Sequence, residues 1–541
     1  MPTLSLVNPA ADFPTYFGGE VFAARGFAPG VLAADLAIPT VAALVPRDFD
    51  VSLCDENIAP IDYDALGEFV GITGKITQLG RMAEIAAACR RRGRTVLIGG
   101  PCASLSPDRL RPHADILVRG ELESIAAELF ADLRARRWRD EYFGDKPDLA
   151  FSPLPRWELY PVRRALAGTV QTSRGCPFAC EFCDVIQYLG RKQRHKPVAQ
   201  VLAELDRLYA LGFRAVLLAD DNFTVYRART RELLTALRDW NRRLPDGPML
   251  FATQVSLDAA DDEALLVQCA EAGIAYVFIG IETSDEAALR EARKPQNLGG
   301  ALVERVRRFL DVGIGVTGGM IVGFDADGPD AFERQYDFAM SSPVPIWSVG
   351  VLVAPEATPL HARMALSGRL VDDGCEAPAT PWDTNIVPAR MNRAELTAGV
   401  RGLVDALYRP AAFGDRMLAM LRCLGSRRQA ERGRLLASGR AIERNVFELV
   451  ARLGVSGIGP AAMLARVVPR ILAKPEATAL AGMALLQYQQ IRWMIECGYA
   501  GRKIGSDASG PKRRPIAVKV ESPRSTPQTA RQAGGQRFGT E

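Results

Sequence analysis

Cysteine and histidine are both scarce in this chain, with 10 and 3 among 541 residues. Outside one cluster the cysteines stand singly, which excludes a disulfide framework and favours a reducing cytoplasm. No run of about 18 apolar residues occurs, so nothing is expected to span a membrane. The apolar stretch at 479–486 is short and interrupted by Gly482. The first residues, MPTLSLVNPAADFPTY, lack the basic start and apolar segment of a signal peptide. A basic body is also missing. The net charge is +4, and residues 506–541 alone carry seven Lys/Arg and three Asp/Glu, 7 − 3 = +4. The remainder is close to neutral, which argues against a nucleic-acid-binding surface.

What is present is a long chain with 48% hydrophobic residues, enough for several domains with large cores. Residues 1–150 alternate apolar β-branched runs with helical patterns. Strands are expected at 4–9 (LSLVNP), 49–56 (FDVSLCDE), 69–74 (FVGITG), 95–101 (TVLIGGP) and 114–121 (ADILVRGE), with a helix over 79–91. This alternation predicts a doubly wound, Rossmann-like parallel sheet with its ligand beyond the carboxyl ends of the strands. A Pro-rich connection at 149–161 follows. The alternation then resumes over 160–370, with strands at 168–173, 215–220, 249–254, 275–282, 315–324 and 348–354. Six βα units predict a partial (β/α)6 barrel of the TIM type, with its chemistry at the strand C-termini. Residues 371–505 read as a helical extension, and 506–541 as a disordered tail rich in Gly, Pro, Ser, Thr and Arg.

The cluster lies just after the first strand of the second unit, in RGCPFACEFCDV, with Cys176, Cys180 and Cys183. Structural zinc takes four closed ligands, usually as two CxxC pairs, and no second pair exists here. His195 could complete a zinc site, but the spacing of three and two residues is wrong for ribbons and fingers. Three thiolates on an iron–sulfur cluster leave one iron open, as a catalytic site requires.

Cys176-x-x-x-Cys180-x-Phe182-Cys183 resembles the signature of the radical S-adenosylmethionine enzymes. The resemblance implies a 4Fe-4S cluster whose open iron binds S-adenosylmethionine and whose reduction releases a 5′-deoxyadenosyl radical. It places Phe182, Asp220, Asp221, Asn222, Gln254, Ser256, Glu282, Thr283 and Gly323 around S-adenosylmethionine. Each has a plainer reading as well: Asp220 and Asp221 as an N-cap pair, for example, or Gly318–Gly319 as a bulge.

A doubly wound unit ahead of such a barrel resembles the cobalamin-binding subclass, on the stretches VSLCDENIAP, VGITGKITQ, VLIGGPCASLSP and ILVRGELES. The implied cobalamin contacts are Asn8, Asp55, Asn57, Thr73, Thr77, Gly99, Gly100, Pro101, Gly120 and Glu121. A tight turn would account for the two adjacent glycines equally well. The Asp-x-His-x-x-Gly motif of cobalamin mutases is not matched, because Asp55 is followed by Glu56 and Asn57. None of His113, His195 and His361 stands there, so cobalamin without a histidine lower ligand is expected.

The pattern is most similar to the class B methyltransferase type that includes the hopanoid C-methylases. The resemblance implies C-methylation of an unactivated carbon: one S-adenosylmethionine methylates cob(I)alamin and a second supplies the radical. The substrate would be a small molecule, a lipid such as a hopanoid or another hydrophobic metabolite, held between sheet and barrel. Met417, Met420, Met463 and Met483 suit such a substrate, and helix packing explains them equally well. Peripheral membrane contact fits a lipid substrate. The reductant implied is of the flavodoxin or ferredoxin type. The alternative with the same cofactors is a non-methylating cyclisation or rearrangement in natural-product or pigment biosynthesis. A methylthiotransferase would need a second three-cysteine cluster, which Cys54, Cys89 and Cys102 do not form. A cobalamin sensor would not need the cysteine cluster at all.

Overall fold

The computed structural model describes residues 1–371, 382–425 and 441–499. The tail expected at 506–541 lies outside them, as does part of 371–505.

Strand β1 (Thr3–Asn8) is followed by β2 (Val31–Ala33), which belongs to another sheet, and by β3 (Asp50–Asp55), β4 (Phe69–Thr73), β5 (Thr95–Gly99), β6 (Ile116–Gly120) and β7 (Glu141–Gly144). The first sheet has the order β3-β1-β4-β5-β6-β7, all parallel. Val7, Val70, Ile72, Val96 and Ile98 pack one face against the helix Leu79–Arg90. Leu4, Leu6, Phe69, Leu97 and Ile116 cover the other face. Both faces are therefore apolar, which is why these strands read as nearly continuous hydrophobic runs. The chain reverses its direction of winding between β1 and β4, so the crevice for a ligand opens beside Asn8 and Thr73.

The second sheet begins with β8 (Ala165–Val170). A small ribbon, β9 (Ser173–Arg174) and β10 (Arg194–His195), frames the cysteine segment. Then come β11 (Ala215–Leu218), β12 (Leu250–Val255), β13 (Ile274–Glu282), β14 (Gly315–Val322) and β15 (Ile346–Val351). The order β2-β8-β11-β12-β13-β14-β15 follows the chain strand by strand, with parallel pairing throughout. The result is a curled half-barrel. The amphipathic helices Val198–Ala210, Arg227–Asn241, Glu263–Ala272 and Leu302–Asp311 cross between its successive strands.

Besides the short ribbon β9–β10, two strands were not expected. β7 follows the polar run RRWRD, which masks it. β2 is three residues long and pairs with β8, so the N-terminal third of the chain adds an edge strand to the half-barrel. The C-terminal extension is helical, as expected: Arg393–Leu407, Pro410–Cys423, Ala441–Leu453, Ile458–Leu472 and Thr478–Glu496. Met417, Met420 and Met463 are buried in its core, so packing accounts for them. Among the described residues no single helix is long and apolar enough to cross a membrane.

Candidate active site at the strand ends of the half-barrel

Val170 ends β8, and the chain runs directly into the cysteine loop. Asp220, just past β11 and buried, accepts the backbone N–H of Thr172 at 2.6 Å and of Ser173 at 2.9 Å, together with the Thr172 hydroxyl. Burial pushes its carboxyl upward, against these donors. Asp221 accepts the Gly175 N–H at 2.9 Å. The two aspartates thus hold the start of the loop rather than capping a helix. Asn222 is buried, donates to Ser256 Oγ at 3.0 Å and leaves its own Oδ1 without a partner. Ser256 in turn bonds Asp258. Gln254 is exposed, and its carbonyl accepts the Phe223 N–H.

Glu282 ends β13 with φ of 68°, and its carboxylate meets Lys294 Nζ at 2.5 Å. Thr283 is buried and accepts the Asp285 N–H at 3.1 Å. Gly323 has φ of 119°, a conformation that favours glycine, and its N–H goes to Asp327 at 2.8 Å. Phe182 packs on Phe324, with ring centroids 6.4 Å apart.

The donor chemistry around the thiols fits a thiolate-bound cluster. Gln296 Nε2 lies 3.7 Å from Cys180 Sγ, while Asn222 and the backbone N–H of Phe178 favour the thiolate of Cys176 and those of Val185 and Ile186 the thiolate of Cys183. Burial pushes the Cys176 thiol up and Cys183 to about 12, so their thiolates need a compensating cation. Among the described residues no three Cys, His, Asp or Glu side chains are already gathered around a metal position. Lys294, Gln296, Arg174 and Arg363 were missed by sequence reasoning. Arg363 clamps Glu181, inside the loop, at 2.8 and 3.0 Å. The KPQN run at 294–297 and the Arg before Gly175 were the available signals.

At the first sheet, Asp55 Oδ1 accepts from the Asn57 backbone (3.0 Å), the Asn57 amide (2.8 Å) and the Asn8 amide (3.3 Å). Its Oδ2 accepts the Tyr160 hydroxyl at 2.6 Å. Asp55 and Asn57 therefore form an internal network. Thr73 and Gly100 lie together: a Cβ on Gly100, at φ of 87°, would fall 2.5 Å from Thr73 Oγ1. The Thr77 carbonyl accepts the Asp12 N–H, and Pro101 opens the helix Gly100–Leu105. Gly120, at φ of 74°, leaves no room for a Cβ beside the Gly144 carbonyl. Gly99 differs, since a Cβ there would meet only ordinary contacts from 3.5 Å. No contact in the fold requires a glycine there. This strand end, open at the crevice, fits a flat cofactor such as cobalamin. Glu121 is buried and held by Arg174 and Arg194.

A half-barrel whose strand β8 feeds a three-cysteine loop, preceded by a doubly wound sheet, defines a radical S-adenosylmethionine enzyme with an upstream doubly wound unit. Comparison with known proteins agrees. The Radical SAM superfamily matches residues 170–339, and a domain of unknown function, DUF4070, matches 358–490. An uncharacterized methyltransferase of Synechocystis sp. is 34% identical over 396 residues, 71% of this chain and 73% of that one. The hopanoid C-2 methylase of Rhodopseudomonas palustris is 35% identical over 341 residues, 62% of this chain and 64% of that one, so just under two thirds of it is spanned. The cobalamin-dependent S-adenosylmethionine radical enzyme OxsB shares the fold, with a TM-score of 0.58 at 15% identity, over 92% of this chain and 80% of that one. The chain belongs to the radical S-adenosylmethionine methyltransferase family. The Radical SAM match implies a 4Fe-4S cluster and S-adenosylmethionine as cofactors.

Proposed function

We propose that this protein C-methylates an unactivated carbon of a hydrophobic small molecule, a lipid of the hopanoid type being the leading candidate. The observation that carries the reading is one chain joining a donor-lined three-cysteine loop to a parallel sheet whose crevice opens at Asn8, Thr73 and Gly99. When bound, the cluster with S-adenosylmethionine would supply a radical, and cobalamin a transferable methyl group.

Cys176, Cys180 and Cys183 hold the cluster in this reading. Asp220 and Asp221 keep the loop in place by accepting its backbone N–H groups. Asn222, Gln254, Ser256, Glu282, Thr283 and Gly323 line the strand ends where S-adenosylmethionine binds. Phe182 and Phe324 keep water from the thiols. The substrate lies between the two sheets beneath the C-terminal helices, and a flavodoxin or ferredoxin supplies electrons.

A lipid substrate is supported by the outer surface of Ala441–Leu453 and Ile458–Leu472. Phe447, Val455, Ile458 and Leu472 are 72 to 91% exposed there. Such a surface suits peripheral contact with a membrane. The described cysteines are all free thiols, which supports a reducing compartment such as the cytoplasm.

The test is anaerobic reconstitution with hydroxocobalamin and methyl-labelled S-adenosylmethionine, followed by analysis of cell lipid extracts. A labelled product one methyl group heavier supports the reading. A product with an unchanged or merely dehydrogenated skeleton overturns it.

A further inference from the structure

Arg174 and Arg194 lie directly opposite each other on the ribbon β9–β10, which frames the cysteine loop. Like charges directly opposed across paired strands repel, and burial strengthens the repulsion. Their side chains are only 12 and 13% exposed. What neutralises them comes from the other sheet. Glu121, one residue beyond β6, accepts from Arg174 Nη1 at 2.6 Å and from Arg194 Nη1 at 2.9 Å, and Arg194 Nη2 also donates to it. Glu123 accepts Arg174 Nη2 at 2.7 Å, and Gln171 Oε1 accepts Arg174 Nε at 2.8 Å. Arg174 is therefore held at three points, and the next residue but one is Cys176. The Cys176 N–H bonds the Gly190 carbonyl, within the segment that leads to β10.

We infer that Glu121 is a positioning residue and not a cobalamin contact. Together with Arg174 and Arg194 it brackets the cysteine loop onto the end of β6, and so sets the span between the first sheet's crevice and Cys176. The inference rests on the reading of the first sheet as the cobalamin platform and of Cys176 as a cluster ligand. No proton or electron moves through the bracket. Its function is mechanical: both carboxylate oxygens are used, and both partners are rigid guanidinium forks. A methyl donor and a radical source on different sheets need such a fixed span, because misplacement by about 1 Å costs on the order of 100-fold in rate.

The test uses the full chain with hydroxocobalamin as the probe, comparing wild type, Glu121→Gln and the double variant Glu121→Gln/Arg194→Gln. Amide hydrogen exchange over residues 172–196 should rise about fivefold or more in the single variant. It should fall back in the double variant, where Arg174 no longer faces a second cation. Hydroxocobalamin affinity should stay within about twofold of wild type in both. A loss of affinity of about tenfold with loop exchange unchanged would overturn the inference, making Glu121 a ligand contact. Unchanged exchange with unchanged affinity would overturn it too, as would absence of rescue by the second substitution. If wild type itself takes up no hydroxocobalamin, the cobalamin reading fails, and the exchange comparison alone decides whether the bracket holds the loop.

Discussion

Lys294 Nζ lies 2.5 Å from Glu282 Oε1 and 5.9 Å from the centre of the Phe182 ring, between the end of β13 and the cysteine loop. Burial works against the ammonium, but Glu282 and the neighbouring Cys180 and Cys183 more than offset it, so its pKa lies above the ordinary lysine value. A fixed cation beside two thiolates favours the more negative, reduced state of a cluster.

Lys294→Met is therefore expected to make the cluster harder to reduce. The midpoint should move down by roughly 60 mV, one tenfold change for a one-electron couple. Potentiometric titration followed by electron paramagnetic resonance measures this. Since the single change strands a buried carboxylate, Lys294→Met/Glu282→Gln serves as the folded control. An unmoved potential in both variants rules out the tuning role.

Gly99 and Gly100 are adjacent, yet they should behave differently. Gly100→Ala puts a Cβ against Thr73 in a left-handed conformation and should cost about 1–2 kcal/mol in denaturant unfolding. Gly99→Ala should change stability by no more than about 0.5 kcal/mol. If the cofactor approaches this strand end, cobalamin retention should nevertheless fall in Gly99→Ala. Full retention would move the cobalamin face elsewhere.

Asp35 offers a pH test. Burial first, and then the nearby Asp55, raise its carboxyl from the ordinary value to about 6, while the Ile38 and Ala37 N–H groups and Lys75 pull it back. The folded chain thus holds this proton at pH values where the unfolded chain has lost it. Stability from this group falls as pH rises from about 4 to about 6, and above that the penalty is complete. Asn keeps the acceptor that caps Ile38 at 2.9 Å. Asp35→Asn should melt higher than wild type at about pH 8, with the gap closing toward pH 4. A gap independent of pH would show that Asp35 does not titrate in this range.

Replacing Cys176, Cys180 and Cys183 together by alanine should abolish the iron–sulfur chromophore and all 5′-deoxyadenosine formation. The first sheet is separate from the thiols, so uptake of hydroxocobalamin should persist. Optical spectra and product chromatography report the two outcomes independently. Persistent 5′-deoxyadenosine would remove the cluster from this loop.

The strands of the half-barrel were legible because runs such as AVLLAD and GGMIVGF bury both faces, and burial on both faces leaves an unbroken apolar stretch. The cysteine loop was legible because its residues are contiguous. Side-chain partnerships were not. Asp55 could be placed at a strand end, but its strongest partner, Tyr160, is 105 residues away, and nothing local marks that pairing. Arg174 is one of 67 Lys/Arg residues, and only the folded chain selects Glu121 and Glu123 for it. Asp220 and Asp221 could be placed near S-adenosylmethionine by resemblance, but nothing local marks the backbone N–H groups inside the loop that their carboxylates accept.

The three residues of β2 carry a consequence for anyone cutting or recombining this protein. A fragment begun in the Pro-rich connection would bare the edge of β8 at Ala165–Ala167, and a bare parallel edge invites unwanted association. Cofactor modules exchanged between relatives at that point would carry away a stave of the neighbouring half-barrel. The first sheet's segment and the half-barrel therefore share an edge and are not cleanly separable at that connection.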